Sequence, residues 1–219
     1  MNYEEWTGLR EYTPNYPIRR RRKSIFLEFL RKKRAEGFSG KVLDAGCFIG
    51  DVCAQIKERG FEAYGVDAFK NNIIKAKKLH KGIDFRVGEL GQKLPYADEF
   101  FDVIWAGDVI EHVYDTIKLF SEFNRILKKG GYLVVSTPMH NFWKMMMITF
   151  VDLHRHFHPE HKHVRFYTIK NFRRILHKYG FRILKEHYLG RIKPIANNMF
   201  FIVQKKQTLD FKEIPEMFR

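Results

Sequence analysis

Short apolar runs bounded by glycine or charged residues recur along this chain and alternate with stretches whose apolar residues return at helical spacing. Runs at 41–44, 61–66, 83–87, 101–106 and 132–136 have the length and the Val, Ile, Leu and aromatic content of buried parallel strands. Between them, residues 51–59 set Val52, Cys53 and Ile56 on one helical face. Asp115 caps a second helix that turns Ile117, Phe120 and Leu127 inward and ends at Lys128-Lys129-Gly130-Gly131. Ahead of the first strand, residues 19–36 predict a helix with the stripe Phe26, Phe29 and Leu30 and basic residues on its other faces, a cover over the sheet. Beyond the fifth strand, Thr168 caps a helix carrying Phe172, Ile175 and Leu176 as far as Gly180, and 181–189 and 198–205 read as two more strands. Strand and helix in regular alternation predict an α/β, doubly wound sheet in one domain.

The turn after the first strand, Val42-Leu43-Asp44-Ala45-Gly46-Cys47-Phe48-Ile49-Gly50, carries the first chemistry. Such a turn holds a ligand at the N-terminus of the helix that follows. A dinucleotide fingerprint needs glycine at 48 and 51, where Phe48 and Asp51 stand; a phosphate loop needs Gly at 51 and Lys at 52, where Asp51 and Val52 stand. Asp44 and Asp51 would repel a pyrophosphate and suit a cationic centre such as a sulfonium or ammonium group. Asp67 ends the second strand about 20 residues on, where a carboxylate grips the hydroxyls of a ribose. The implied ligand is a nucleoside with a cationic tail. Ligands in such sheets sit beyond the carboxyl ends of the strands, so Asp44, Asp67, Glu89 and Asp108 are expected to converge on one crevice.

The motifs VLDAGCFIG, GVDAF, KLPYADEFFDVIWAGDVIEHV and ILKKGGYLVVSTP, in this order and spacing, resemble the class I methyltransferases that use S-adenosylmethionine. The resemblance covers roughly residues 38–205 and is to the small-molecule branch that includes the ubiquinone and menaquinone biosynthesis enzymes. It implies a Rossmann-like, seven-stranded methyltransferase sheet with an insertion after the fifth strand, and S-adenosylmethionine as cofactor. It further implies that Asp44 is among the cofactor-binding residues, that Gly46 and Gly50 let the backbone approach the methionine part, and that Asp67 holds the ribose. Ala68 and Phe69 would lie near the adenine, Glu89 and Leu90 would meet its amino group, and Asp108 and Val109 would contact the methionyl end. Glu111-His112 is similar to the Glu-His pair of the ubiquinone-type enzymes, which makes His112 the first residue expected to face the acceptor. The family has glycine where Phe48 stands, so the turn is bulkier here.

Composition narrows the reading further. At 219 residues and 45% hydrophobic, the chain is sized for one α/β domain. Residues 1–37 form a cover segment and helix, 38–206 the main domain and 207–219 a tail. Ordinary packing is the expected role of Tyr12 and Tyr16, with a cover over the cofactor, as in related methyltransferases, as the alternative. Two cysteines, Cys47 and Cys53, offer neither a disulfide framework nor a zinc knuckle, and no apolar run approaches a membrane span, so a cytoplasmic protein is expected. The net charge of +15, with Arg19 to Lys23 as its densest run, invites a nucleic-acid partner, yet lysines spread along nearly every helix read as a solvated surface. Ala106-Gly107-Asp108-Val109 also lacks the [DN]-P-P-[YF] motif of enzymes that methylate amino groups on bases.

Residues 139–167 break the rhythm with Phe142-Trp143-Lys144-Met145-Met146-Met147, Phe150-Val151, and the histidines His154, His156, His158, His161 and His163. This segment is expected to form the acceptor side, with His154 or His158 taking a proton from a hydroxyl. No cysteine and no H-E-x-x-H spacing accompanies the histidines, so no metal is expected. The methionine run reads as a pliable pocket wall or a surface contact with a bilayer. The resulting expectation is methyl transfer to a small-molecule acceptor, at oxygen, with RNA or protein as the alternative substrate class.

Overall fold

The computed structural model describes residues 17–151, 163–190, 196 and 198–209. Seven strands form one sheet in the order β3-β2-β1-β4-β5-β7-β6. They are β1 (Lys41–Ala45), β2 (Glu62–Asp67), β3 (Asp84–Val87), β4 (Phe101–Gly107), β5 (Leu127–Pro138), β6 (Phe181–Leu189) and β7 (Asn198–Lys205). The first five run parallel, and β7 lies antiparallel between β5 and β6. The order reverses between β1 and β4, and that switch point places a crevice at their carboxyl ends.

One face of the sheet is covered by α1 (Pro17–Ala35), α2 (Asp51–Glu58) and α3 (Lys70–Leu79), which bury Phe26, Leu30, Cys53, Ile56, Ile73 and Ala76 against Val42, Val103 and Trp105. The other face is covered by α4 (Thr116–Ile126) and a later helix, Ile169–Lys178, whose Leu119, Phe120, Phe123, Phe172 and Leu176 pack on Leu43, Ile104 and Val135. Asp115 and Thr168 cap these two helices as expected, accepting from the backbone N–H of Lys118 and Asn171. Leu127 departs from the expectation. It is not an inward helix position but the first residue of β5, paired with Phe101, and the Lys-Lys-Gly-Gly stretch lies inside that strand. A register shift between Phe101 and Val103, with Gly130 at φ +80, absorbs the turn that the double glycine announced.

The segment after β5 leaves the sheet at Met139 and returns at Tyr167, which bridge each other, and His140 N–H donates to the Tyr167 carbonyl at 2.9 Å. Its described helix is α5 (Phe142–Val151), so the helix after Thr168 is α6. Phe142 and Trp143, in the segment expected to form the acceptor side, are 67% and 61% exposed.

Candidate active-site crevice

The β1 turn is shaped by residues in left-handed backbone. A Cβ on Gly46, at φ +81, would stand 2.6 Å from Val109 Cγ2, so only glycine lets this turn pass beneath the loop after β4. Gly50, at φ +88, is glycine for a different reason: its Cβ would strike the Phe85 ring at 2.6 Å, which makes it a packing position against β3. Phe48 keeps φ +50 although it has a side chain, at a cost of about 1–2 kcal/mol for the left-handed form. Its N–H donates to Asp67 Oδ2 at 2.9 Å, which ties this position of the turn to the end of β2.

Asp67 is the centre of the crevice. Buried at the end of β2, it accepts from Phe48 N–H on one oxygen and from Phe69 N–H and Asn72 Nδ2, both at 3.0 Å, on the other. The β1 turn and the start of α3 are thereby pinned to one carboxylate, which keeps an unused acceptor site of its roughly four. Asn72, the second residue after the α3 start, was missed by the sequence reading. A polar residue in the buried stripe of an otherwise amphipathic helix was its signal.

Asp44, within β1, is buried, and among the described residues its polar side-chain donor is the Cys53 thiol, 3.6 Å from Oδ2. Burial, reinforced by the Asp67 and Asp51 carboxylates and opposed by the Cys53 hydrogen bond, pushes its pKa up to about 7. The chemistry of this donor set fits S-adenosylmethionine: acids crowded round the turn favour a cationic ligand and disfavour a pyrophosphate.

Asp108 follows β4 at φ +53, its N–H bonded to the Ser136 carbonyl at 3.0 Å, and it forms an ion pair with Arg22 of α1. Arg22 corrects the reading of α1 as a cover alone. It is buried, and it continues the stripe Phe26–Leu30 at the same four-residue spacing. Phe26 stacks on Trp105 of β4 with ring centroids 4.6 Å apart, which carries Arg22 over the end of that strand. An arginine in register with an apolar stripe is the feature that identifies it.

Of the remaining sequence candidates, Ala68 is exposed and Phe69 half-buried at the α3 start, and Val109 is half-buried over Gly46. Glu89 is exposed and Leu90 half-buried beyond β3, in a loop tied to β2 by Gly88 N–H to the Asp67 carbonyl at 3.1 Å. The acids at 44, 67, 89 and 108 thus all lie in or just after strands β1 to β4, as topology requires, with Asp44 facing α2 and Asp108 facing Arg22.

On the β5 side, a 3-10 turn (Ile110–His112) exposes His112 and buries Glu111, whose carboxylate accepts from Thr137 Oγ1 at 3.1 Å. The Glu111 carbonyl accepts from Val164 and Arg165 N–H at 2.9 and 3.1 Å. That clamp brings His163 to His112, ring centroids 4.9 Å apart and edge to face. Ligand atoms of Glu111, His112 and His163 all lie within 4.8 Å of one another. Among the described residues it is the group that most resembles a cation site. His154 and His158, the two other proposed bases, lie outside the described residues, as do Tyr12 and Tyr16.

The family described as methyltransferase domain matches residues 12–186 of the chain. A ubiquinone biosynthesis O-methyltransferase of Bradyrhizobium sp. (strain ORS 278) is 36% identical over 115 residues, covering 51% of this chain and 44% of that protein. A demethylmenaquinone methyltransferase of Chlorobaculum parvum is 33% identical over 110 residues, covering 49% and 45%. The chain therefore spans less than half the length of these curated relatives. Among solved structures, the PH0226 protein of Pyrococcus horikoshii OT3 superposes with a TM-score of 0.67 at 21% identity, over 94% of this chain and all of that one. A SAM-dependent methyltransferase from Methanosarcina mazei superposes with a TM-score of 0.61, also at 21% identity, over 76% and 92%. At such identities the likeness is one of fold.

Proposed function

The chain belongs to the methyltransferase-domain family, and on that premise we propose that it transfers a methyl group from S-adenosylmethionine to the oxygen of a small-molecule acceptor. The observation that carries the reading is Asp67, a buried carboxylate at the end of β2 held by the backbone of two crevice loops. Pinned this way it is preorganised to accept from ribose hydroxyls. Glu89 and Leu90 would hold the adenine end, Gly46 and Val109 would flank the methionyl end, and Arg22, now paired with Asp108, would offer a cation to the cofactor's carboxylate. Bound S-adenosylmethionine supplies a methyl group already activated by the sulfonium charge.

The protein's own residues then align the acceptor and manage one proton. A hydroxyl with its proton in place is a poor nucleophile, so a base must take that proton as the new bond forms. His112 and His163 share the role. The clamp on the Glu111 carbonyl sets their spacing, and the buried Glu111 carboxylate, fixed by Thr137, favours the charged imidazolium that results. His154 and His158, in the segment 139–167 that forms the acceptor side, are further candidates for the same proton. The ubiquinone- and menaquinone-type relatives support a small phenolic or enolic acceptor over RNA or protein.

Titration calorimetry with S-adenosylmethionine and its demethylated product tests the reading. Wild-type protein binds both; Asp67→Asn, which keeps the size and removes the charge, binds each about tenfold to a hundredfold more weakly, the scale of hydrogen bonds to a charged group. Equal binding by the two proteins, or none by either, overturns it.

A further inference from the structure

A seam between packed helices normally buries apolar side chains, and the one between α1 and α2 carries charge instead. On α1, Arg20, Lys23, Leu27 and Arg31 recur at spacings of three and four and share one face. Gln55 of α2 and Arg59 at its C-cap stand one turn apart opposite them, and the two rows line a groove of about 480 Å³. Leu27 is the buried member; Arg20 and Arg31 are exposed, and Lys23 and Arg59 half-buried. Both helices start at the crevice end of the sheet: Arg22, early in α1, meets Asp108 beyond β4, and α2 follows the β1 turn.

The groove holds four cations against one acid. That acid is already engaged, because Glu28 accepts from Arg31 Nε and Nη2 at 2.7 and 2.8 Å and has Lys32 Nζ at 3.7 Å. Arg59 donates from Nη1 to the Gln55 carbonyl at 2.7 Å, which holds its guanidinium at the groove. Asp51, in the first turn of α2, stands beside His80 at 3.8 Å, and among the described residues no carboxylate forms an ion pair with Arg20, Lys23 or Arg59. Like charges three and four residues apart repel, and an anion between the rows relieves that repulsion.

The lining selects among anions. A single carboxylate leaves most of the excess charge unmatched. A nucleic-acid strand brings bases that need a ring to stack on, and among the described residues no aromatic side chain lines the groove. A compact polyphosphate matches the charge, accepts from guanidinium forks on its many oxygens, and takes Ser24 and Gln55 as neutral donors. The volume lies within the range of small-molecule sites.

We propose that the groove between α1 and α2 is a second ligand site, for the di- or triphosphate group of a small molecule, and that the bound anion fastens α1 to α2. Because α1 carries Arg22 over the end of β4, an occupied groove also steadies one wall of the crevice. This goes beyond the methyl-transfer reading and stands on the groove alone.

Titration calorimetry of the full chain with inorganic tripolyphosphate, without cofactor, tests it. The wild type binds one equivalent, more weakly as salt rises. Arg20→Gln/Lys23→Gln loses about tenfold or more in affinity, the scale of lost hydrogen bonds to a charged group, and Arg59→Gln on the opposite wall loses about fivefold or more. Lys170→Gln/Arg174→Gln removes the same charge from exposed positions on α6 and keeps the wild-type affinity, which separates a built site from the field of the whole protein. Hydrogen exchange at the α1 amides slows with tripolyphosphate in the wild type and stays as it was in Arg20→Gln/Lys23→Gln. The proposal is overturned if the wild type binds no tripolyphosphate, if the α6 variant loses as much affinity as the groove variants, or if α1 exchange is unchanged at saturation. It is equally overturned if a single-stranded oligonucleotide of matched charge binds more tightly through the same residues.

Discussion

The two halves of the crevice are built on opposite plans. On the β1–β4 side, polar groups close on one another: Asp67 ties three donors from two loops, Arg22 meets Asp108, and Asp44 is sealed under Cys53. On the β5 side the polar fixings are fewer, the histidines sit at the surface, and a whole helix turns apolar side chains outward. One half is finished before any ligand arrives. The other leaves apolar side chains of α5 exposed among the described residues. A cofactor of constant shape rewards the first plan, and an acceptor of variable shape rewards the second.

The contrast breaks if substitutions on the two sides have the same consequence. The largest separation is expected from His112→Ala combined with His163→Ala, which lowers the methyl-transfer rate to a phenolic acceptor by about a hundredfold or more while cofactor affinity in calorimetry is unchanged. A fall in affinity of the same size would merge the halves into one site.

Next comes Arg22→Met, which leaves Asp108 at the crevice floor without its cation. Removing one partner of a buried pair costs about 3–5 kcal/mol, discounted here because the Asp108 side chain is 21% exposed, so a loss of about 2–3 kcal/mol in urea unfolding is expected together with weaker cofactor binding. Unaltered binding would confine Arg22 to holding α1.

A pH series sharpens the comparison through Asp44. Its folded pKa, about 7, lies above that of an unfolded aspartate, so between about pH 4 and pH 7 the folded state holds a proton that the unfolded state has released. Stability therefore falls as pH rises through that window, by up to about 4 kcal/mol, and levels off above it. Asp44→Asn removes this slope, and urea titrations of both proteins at the two ends of the window measure it. Cofactor affinity should rise over the same window as Asp44 ionises beside a cation. A flat wild-type profile would mean that the carboxylate is ionised throughout.

The smallest effect is reserved for Phe48→Gly. Glycine relieves the left-handed backbone but gives up the packing of the ring, and the net change in unfolding free energy is expected to stay within about 1 kcal/mol, with Asp67 still bonded and the cofactor still bound.

Much of the first half was legible because its determinants are local. Short apolar strands, the glycine turn and an acid at a strand end occupy consecutive positions, and their convergence follows from the parallel topology. Arg22 and Asn72 were less legible. Each is a polar residue in an apolar stripe, and periodicity alone cannot separate a misplaced charge from one with a partner far along the chain. Leu127 was misread because one helix ends where one strand begins, and apolar residues suit both. His163 was legible only as one of a histidine series. What selects it is a pair of backbone hydrogen bonds to the Glu111 carbonyl, which leave no trace in side-chain pattern.

The sequence by itself determined the alternation of strands and helices, the turn chemistry that excludes pyrophosphate, and the acid at position 67, because each rests on neighbours in the chain. Tertiary structure alone decided that Arg22 meets Asp108, that Gly50 is glycine for the sake of Phe85, that His112 meets His163, and that α5 shows its apolar rows to the outside. These depend on which surfaces the sheet brings within a few ångströms. A one-dimensional pattern can say that a helix has an apolar face, but the direction in which that face points is fixed only when the remaining elements have taken their places against the sheet.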